Sequence, residues 1–177
     1  VRKNMMTEVW VAIAYGVFYS TTLPFIPVLL RRSGATAEMV ALYTAQQFIG
    51  SVLTAFSIVL MRRRRTMNII VVCWLLSRSL ILFFAFIVNP IWMLVLGAGF
   101  WLLEAFPYPG YTRILQKIYP DGLRGKVMST VRMARIAVVV IVTPLAGWAL
   151  DHWGYRVLFP IGSAVGILSV LLFLRLE

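Results

Sequence analysis

An apolar run with a single carboxylate lies at Gly97-Ala-Gly-Phe-Trp-Leu-Leu-Glu104-Ala-Phe-Pro-Tyr-Pro-Gly110. A charged side chain near the centre of a bilayer costs about 2.5–3.5 kcal/mol on insertion scales, so such residues usually face a cavity or a charged partner. Pro107 and Pro109 follow at once, and each removes an amide donor that a continuing helix needs. The run therefore predicts a broken membrane helix whose one charged residue avoids the lipid.

The chain on both sides of this run is equally apolar. Of the 177 residues, 61% are hydrophobic and only 13% are charged, whereas soluble domains carry about 25% charged residues. Runs long enough for a helix to cross a bilayer, about 20 residues, recur six times. They occupy about 9–30, 38–60, 67–88, 91–112, 127–149 and 157–174. This pattern predicts an all-α polytopic membrane protein with six transmembrane helices and no soluble domain.

The six spans are expected to form one transmembrane domain over residues 1–177. Three spans per unit divide it into a first repeat at about 5–88 and a second at about 90–175. The second repeat is inverted relative to the first, because an odd number of spans reverses the direction of the chain across the membrane. The sequence therefore predicts two inverted three-helix repeats.

Prolines occupy corresponding positions in the two repeats. Pro24 and Pro27 in the first span, like Pro107 and Pro109 in the fourth, lie about 16–19 residues after the start of their span. Paired, proline-interrupted spans in inverted repeats point to the central binding site of a transporter. We therefore expect the first and fourth spans to form walls of a cavity.

The net charge is +11, and the distribution of the basic residues indicates a membrane protein and not a nucleic-acid-binding one. Most of the 17 basic residues lie at the two termini, in the loop Arg62 to Arg65 and between Arg113 and Lys126. The positive-inside rule then predicts an integral protein of the cell inner (plasma) membrane with both termini in the cytoplasm. Polybasic loops also attract anionic headgroups, so membrane lipids are expected partners.

Candidate metal and catalytic groups are sparse. Cys73 is the only cysteine and His152 the only histidine, so neither a disulfide framework nor a metal site with the usual ligand spacing is expected. The spans contain no paired-aspartate motif and no Ser-His arrangement, which disfavours an intramembrane hydrolase. We predict a protein without cofactor that is not an enzyme. A six-span assembly or sensor subunit remains an alternative to a transporter.

Several stretches resemble the major facilitator superfamily of secondary transporters. Leu123-Arg-Gly-Lys-Val-Met-Ser129, Thr143-Pro-Leu-Ala-Gly147 and Asp151-His-Trp-Gly-Tyr-Arg-Val-Leu-Phe159 look like the loop before that family's fifth helix, the proline-glycine motif inside that helix, and the turn into the sixth. Leu23-Pro-Phe-Ile-Pro-Val-Leu-Leu30, with Ser33-Gly-Ala35 after it, is similar to the family's first helix and loop. The resemblance covers the whole chain as the amino-terminal half of twelve helices.

The resemblance implies a function and a set of gating residues. It implies alternating access for a small-molecule substrate, with a second six-helix half, in the same or another chain, as the other wall of the cavity. Arg62 and Arg65 correspond to the basic part of the family's loop between helices two and three. Pro144 and Gly147 belong to a motif associated with efflux by antiport, and we expect them to interrupt the outer half of the fifth span.

Depth restricts the partners of Glu104. At about 1.5 Å per residue, Glu104 lies about 13 Å from the inner edge, Arg135 about 12 Å and Arg78 about 17 Å. The resemblance places helices one, two, four and five around the cavity and three and six outside it, which favours Arg135. Two interpretations stay open. Glu104 and an arginine form a permanent ion pair, or Glu104 exchanges a proton or a cationic substrate group against Arg135 as the cavity alternates.

Four further residues are candidates for substrate binding. Arg132 lies three residues before Arg135, on the same helix face, and the two indicate an anionic group. Tyr108 indicates an aromatic or hydrophobic one. Gln46 and Gln47 suit either interhelical hydrogen bonds or a polar substrate. Glu8, at the inner edge of the first span, is interpreted as structural, because a carboxylate near a helix N-terminus is favoured there.

Overall fold

The computed structural model of the chain describes residues 2–61 and 66–176, which leaves the predicted gating residues Arg62 and Arg65 outside the described part. The described residues form eight α-helices, and one 3-10 turn lies at Leu23–Phe25. The helices are α1 (Arg2–Thr22), α2 (Ile26–Arg32), α3 (Ala37–Met61), α4 (Thr66–Phe83), α5 (Pro90–Ala105), α6 (Tyr108–Ile118), α7 (Asp121–Trp153) and α8 (Tyr155–Phe173).

Within these residues, six helical segments are long and apolar enough to cross a membrane. They are Arg2–Arg32, Ala37–Ile58, Thr66–Phe83, Pro90–Ile118, Asp121–Trp153 and Tyr155–Phe173. The predicted all-α class with six spans is therefore confirmed. The fourth span reaches further than predicted because α6 is amphipathic, with Leu115 buried and Arg113 and Lys117 exposed. One polar face does not end a helix whose other face packs on the protein.

The predicted interruption of the first span is confirmed. α1 ends at Thr22, the 3-10 turn contains Pro24, and α2 begins at Ile26 with Pro27 in its first turn. The Thr22 hydroxyl donates to the Phe18 carbonyl oxygen at 2.6 Å. A side-chain donor of this kind satisfies part of the backbone where the helix breaks inside the membrane.

The fourth span is also interrupted where its prolines predicted. α5 ends at Ala105, and α6 begins at Tyr108, directly after Pro107 and with Pro109 in its first turn. The Tyr111 amide donates to the Pro107 carbonyl oxygen at 3.0 Å, so the new helix starts at this point. Proline fits the first turn of a helix because the amide that it lacks has no partner there in any case.

The predicted interruption of the fifth span is wrong. α7 runs without a break from Asp121 to Trp153 and contains both Pro144 and Gly147. A single proline removes one backbone hydrogen bond, and in this helix it stands alone, whereas the broken spans carry two prolines each. Pro144 is exposed, on a face of α7 that points away from the rest of the bundle. An isolated proline on an outward face therefore leaves α7 continuous.

The first span is central in the bundle, and glycines let its neighbours approach closely. α1 packs mainly against α7 and α8, while α4 packs against α5 and α8. A Cβ atom at Gly166 of α8 would lie 2.7 Å from Phe18 Cδ2. On the other side, a Cβ atom at Gly50 of α3 would lie 2.8 Å from the Trp101 carbonyl oxygen of α5. Small residues are the usual means of close helix packing in membranes.

The second and fifth spans are the most exposed. Their outward side chains are large and apolar, and they include Phe48, Val52 and Phe56 on α3 and Ile136, Val140 and Leu145 on α7. The opposite holds for α1, where Phe18 is fully buried in a core cluster with Phe100, Phe84 and Phe159. The bundle therefore encloses α1 and presents α3 and α7 to lipid or protein.

Candidate functional site

The site is centred on a buried ion pair between α4 and α5. Arg78 is 2% exposed and Glu104 is 5% exposed. Arg78 Nη1 contacts Glu104 Oε2, and Nη2 donates to Oε1 at 3.2 Å. The Ser77 hydroxyl donates to Glu104 Oε2 at 3.2 Å. Two guanidinium contacts and a hydroxyl compensate the carboxylate within the protein, as a buried charge requires.

The partner of Glu104 is Arg78, so the predicted preference for Arg135 is wrong. The depths estimated from the sequence put both arginines within reach of the carboxylate. Lateral packing decided between them, because α4 packs directly against α5 whereas α7 packs mainly against α1. The resemblance suggested that the third span lies outside the cavity, yet Arg78 lines the cavity together with Glu104.

Arg78 is further held by aromatic rings of α1. Its guanidinium carbon lies 4.9 Å from the ring centroid of Tyr15 and 4.7 Å from that of Phe18. Aromatic faces attract cations, with estimates of about 0.5–2 kcal/mol that increase with desolvation. Arg78 therefore links α4 both to α5, through Glu104, and to α1, through these two rings.

Arg135 contacts aromatic rings and no carboxylate in the described part of the chain. Its guanidinium carbon lies 4.4 Å from the Tyr15 ring centroid and 5.3 Å from that of Tyr19. The side chain is half-buried on α7. Tyr15 thus contacts two arginines, of which only Arg78 is paired with a carboxylate of the described residues.

Two adjoining cavities meet at these groups. The first has a volume of about 210 Å³, and its lining includes Glu8, Arg78 and Arg132. The second has a volume of about 430 Å³, and its lining includes Gln47, Ser51 and Thr54. Four side chains line both: Tyr15, Glu104, Tyr108 and Arg135. The structure therefore brings five of the six predicted binding residues to one region.

Gln46 is the predicted binding residue that lies elsewhere. It is buried, and its amide nitrogen donates to the Leu94 carbonyl oxygen of α5 at 3.0 Å. Gln47 is exposed and lines the larger cavity. Neighbouring residues on a helix point about 100° apart, so only one of the two amides can face the cavity. The structure therefore gives Gln46 an interhelical hydrogen bond and places Gln47 at the wall of the larger cavity.

Three cavity residues of α1 that carry polar groups were not predicted as binding residues. Tyr15 and Tyr19 line the larger cavity, and Glu8 lines the smaller one while being only 2% exposed. Their positions differ by seven and four, which is the spacing of one helix face. That periodicity was readable in the sequence. The structural interpretation of Glu8 rested on its distance from the end of the span, which does not show the direction of a side chain.

Comparison with known proteins gives a family and one relative. A family model described as "Major Facilitator Superfamily" matches residues 9–177. The protein named "Probable galactarate/D-glucarate transporter GudP" of Bacillus subtilis (strain 168) is 30% identical over 74 residues. The matched segment covers 42% of this chain and 16% of that protein, so the chain matches a small part of the relative's length.

Proposed function

The chain belongs to the major facilitator superfamily, and we propose that it forms the amino-terminal half of a secondary transporter that moves a small organic anion by alternating access. Its six spans constitute one domain of two inverted three-helix repeats, over about 5–88 and 90–175. A second six-helix half, in the same or another chain, supplies the opposite wall. The exposed α3 and α7 are the helices available to contact it.

The observation that carries this proposal is the unequal state of two arginines in one region. Arg78 is committed to Glu104, whereas no carboxylate of the described residues neutralises Arg135. Arg132, one helical turn earlier, lines the smaller cavity as well. A guanidinium presents a planar set of donors that matches a carboxylate. An anionic substrate therefore supplies the negative charge that Arg135 lacks.

The sugar acids named for the relative fit the remaining lining. Galactarate and D-glucarate combine carboxylates with several hydroxyl groups, and the larger cavity combines Arg135 with polar side chains of α3. Gln47, Ser51 and Thr54 are spaced by four and three residues, so they form one polar row along the cavity. Such a row binds substrate hydroxyls, while Tyr108 packs against the carbon chain.

Glu104 couples this transport to protons. In the conformation described, its carboxylate is held by Arg78 and Ser77. Alternation of the cavity that separates the pair exposes the carboxylate to a proton, and return of Arg78 expels that proton. The predicted direction is export in exchange for protons, based on Pro144 and Gly147 of the fifth-helix motif. This exchange is tested by measuring whether the anion and the proton cross the membrane of the same vesicles in opposite directions.

The orientation follows from the basic segments. We propose, from the positive-inside rule, that both termini and the basic loop are on the cytoplasmic side of the inner (plasma) membrane, and that Arg62 and Arg65 attract anionic lipid and act in gating. Reporter domains fused to each end measure this orientation. A terminus on the outer side would overturn it.

The decisive experiment is uptake of radiolabelled galactarate and D-glucarate by proteoliposomes that contain the complete protein. Arg135→Ala should reduce uptake at least tenfold, because one charge-assisted hydrogen bond contributes about 1.5–3 kcal/mol. Arg156→Ala is the matched control, since Arg156 is exposed and lines neither cavity. Equal uptake by Arg135→Ala and wild type would refute the binding role of Arg135. Absence of any sugar-acid uptake by the wild type would refute the substrate class.

Coupling is tested in the same vesicles with Glu104→Gln, which keeps the shape of the side chain. An imposed proton gradient should accelerate wild-type transport and leave the variant unaffected. Counterflow of labelled substrate, which needs no proton movement, should persist in the variant. Transport by Glu104→Gln that still responds to the gradient would show that the Arg78–Glu104 pair is a permanent structural contact.

A further inference from the structure

Glu8 is a second buried carboxylate in the cavity region, and its surroundings differ from those of Glu104. It lies two turns into α1 and is 2% exposed. Its Oε1 atom accepts a hydrogen bond from the Tyr111 hydroxyl at 3.4 Å. Its Oε2 atom is buried and has no hydrogen-bond partner among residues 2–61 and 66–176. One long hydrogen bond is little compensation for a carboxylate that can accept about four.

Among residues 2–61 and 66–176, no salt bridge joins Glu8 to a cation. Within the described ranges, the ion pairs of acidic side chains join Glu104 to Arg78, Asp151 to Arg32 and Asp121 to Arg124, and none of them includes Glu8. The cations that line the same cavity are Arg78, Arg132 and Arg135. Arg78 is bound to Glu104, and Arg135 lies against two tyrosine rings. Arg132 is exposed, and no salt bridge of the described residues joins it to Glu8.

The groups that face Glu8 directly are neutral phenols. Tyr111 belongs to α6 and donates its hydroxyl hydrogen to Glu8 Oε1. Tyr119 follows the end of that helix and lies near the Glu8 side chain. The Tyr119 hydroxyl is buried and, in the described part of the chain, has no hydrogen-bond partner. The cavity lining from α8 consists of Ser169 and Phe173, which do not titrate. From α4 and α5 it includes Arg78 and Glu104, which neutralise each other.

Burial without a cation favours the neutral form of a carboxyl group, because the charged form would lose its hydration without a replacement. A protonated Glu8 needs no cation, and it gains an O–H donor that can point into the cavity. From the burial, the unpartnered oxygen and the phenol neighbours, we propose that Glu8 is a second proton-binding site of this cavity, and that it holds a proton in the conformation described here.

The two carboxylates then have different states in one region. Glu104 is charged and held by Arg78, while Glu8 is neutral and faces the cavity. Release of the Glu8 proton breaks its O–H bond and delivers the proton to water that enters the cavity, and uptake reverses the step. This inference does not rest on the transported substrate, since the protonation of Glu8 is a property of the protein alone.

Infrared difference spectroscopy of the purified full-length protein in lipid nanodiscs tests the proposal. A protonated carboxyl group has a C=O stretching band distinct from that of a carboxylate. The wild type should show this band at neutral pH, Glu8→Gln should lose it, and Glu104→Gln should retain it. Glu38→Gln, at an exposed carboxylate, is the matched control and should retain it as well. A wild type without the band, or a band that survives in Glu8→Gln, would overturn the proposal.

Thermal unfolding gives a second readout that does not depend on the spectrum. A group that keeps a proton in the folded protein but loses it on unfolding makes the protein less stable as pH rises. Glutamine mimics the protonated form, so Glu8→Gln should unfold at the same temperature as the wild type at acid pH and at a higher temperature above neutrality. A variant that becomes less stable relative to the wild type as pH rises would show that Glu8 is charged in the folded state and would overturn the proposal.

Discussion

Glu104 and Glu8 are both buried carboxylates in the same cavity region, and their partners separate them. Glu104 is contacted by a guanidinium and a hydroxyl. Glu8 has the Tyr111 phenol and an oxygen without a hydrogen-bond partner in the described chain. Burial removes water from both, but of the two only Glu104 is paired with a cation of the described residues. The comparison shows that the partners of a buried acidic residue in a membrane helix depend on the neighbouring helices more than on its depth.

The largest expected effect comes from removing the cation of Glu104. Arg78→Ala leaves a buried carboxylate without its partner, and loss of one member of a buried pair costs about 3–5 kcal/mol. The free energy of unfolding of the full-length protein in detergent, from denaturant titration, measures this loss. In this variant, Glu104 should resemble Glu8, because its carboxyl group would have lost its cationic partner.

Two controls sharpen this prediction. Arg32→Ala breaks the 3.4 Å pair with Asp151, whose side chains are 61% and 66% exposed. It should cost about 1 kcal/mol or less, because water already screens that pair. The double variant Arg78→Leu with Glu104→Leu should recover most of the stability lost in Arg78→Ala, since it leaves no charge unpaired. If Arg78→Ala were as stable as Arg32→Ala, Glu104 would not depend on Arg78 for its stabilisation. That result would contradict the difference between Glu104 and Glu8.

An intermediate effect is expected at Tyr15, which contacts both arginines. Tyr15→Leu removes a ring whose centroid lies 4.9 Å from the guanidinium carbon of Arg78 and 4.4 Å from that of Arg135. The substitution should lower the free energy of unfolding by about 1–2 kcal/mol. Tyr19→Leu is the matched substitution, because Tyr19 contacts only Arg135 among the cation–ring contacts of the described residues. Its loss should be about half as large. Equal losses at the two positions would show that the Arg78 contact with Tyr15 contributes nothing.

The smallest effect is expected beside Glu8. Tyr111→Phe removes the hydrogen bond to Glu8 and keeps the ring contacts with Trp74 and Phe173. If Glu8 is neutral as proposed, that hydrogen bond contributes about 0.5–1.5 kcal/mol. The change in the thermal unfolding midpoint should therefore be a few degrees at most. A loss as large as that of Arg78→Ala would indicate that the phenol stabilises a charged Glu8.

The sequence predicted the membrane class and the broken helices correctly. Six apolar runs dictate six spans, because hydrocarbon tolerates a backbone only when its hydrogen bonds are internal. The paired prolines of the first and fourth spans predicted their interruptions, because each proline removes a donor. The same rule failed at Pro144, where one proline on an outward face left α7 unbroken. The number and placement of prolines mattered more than their presence.

Glu104 shows the limit of what its own sequence neighbourhood determines. Its apolar run and its charge fixed that it lies inside the protein and has a partner, since these follow from the cost of a charge in lipid. Which arginine is that partner, and that Glu8 faces the same cavity, depended on the rotation and contacts of α4, α1 and α5. These rotations come from side-chain packing between segments far apart in the chain, and only the tertiary structure brings those segments together.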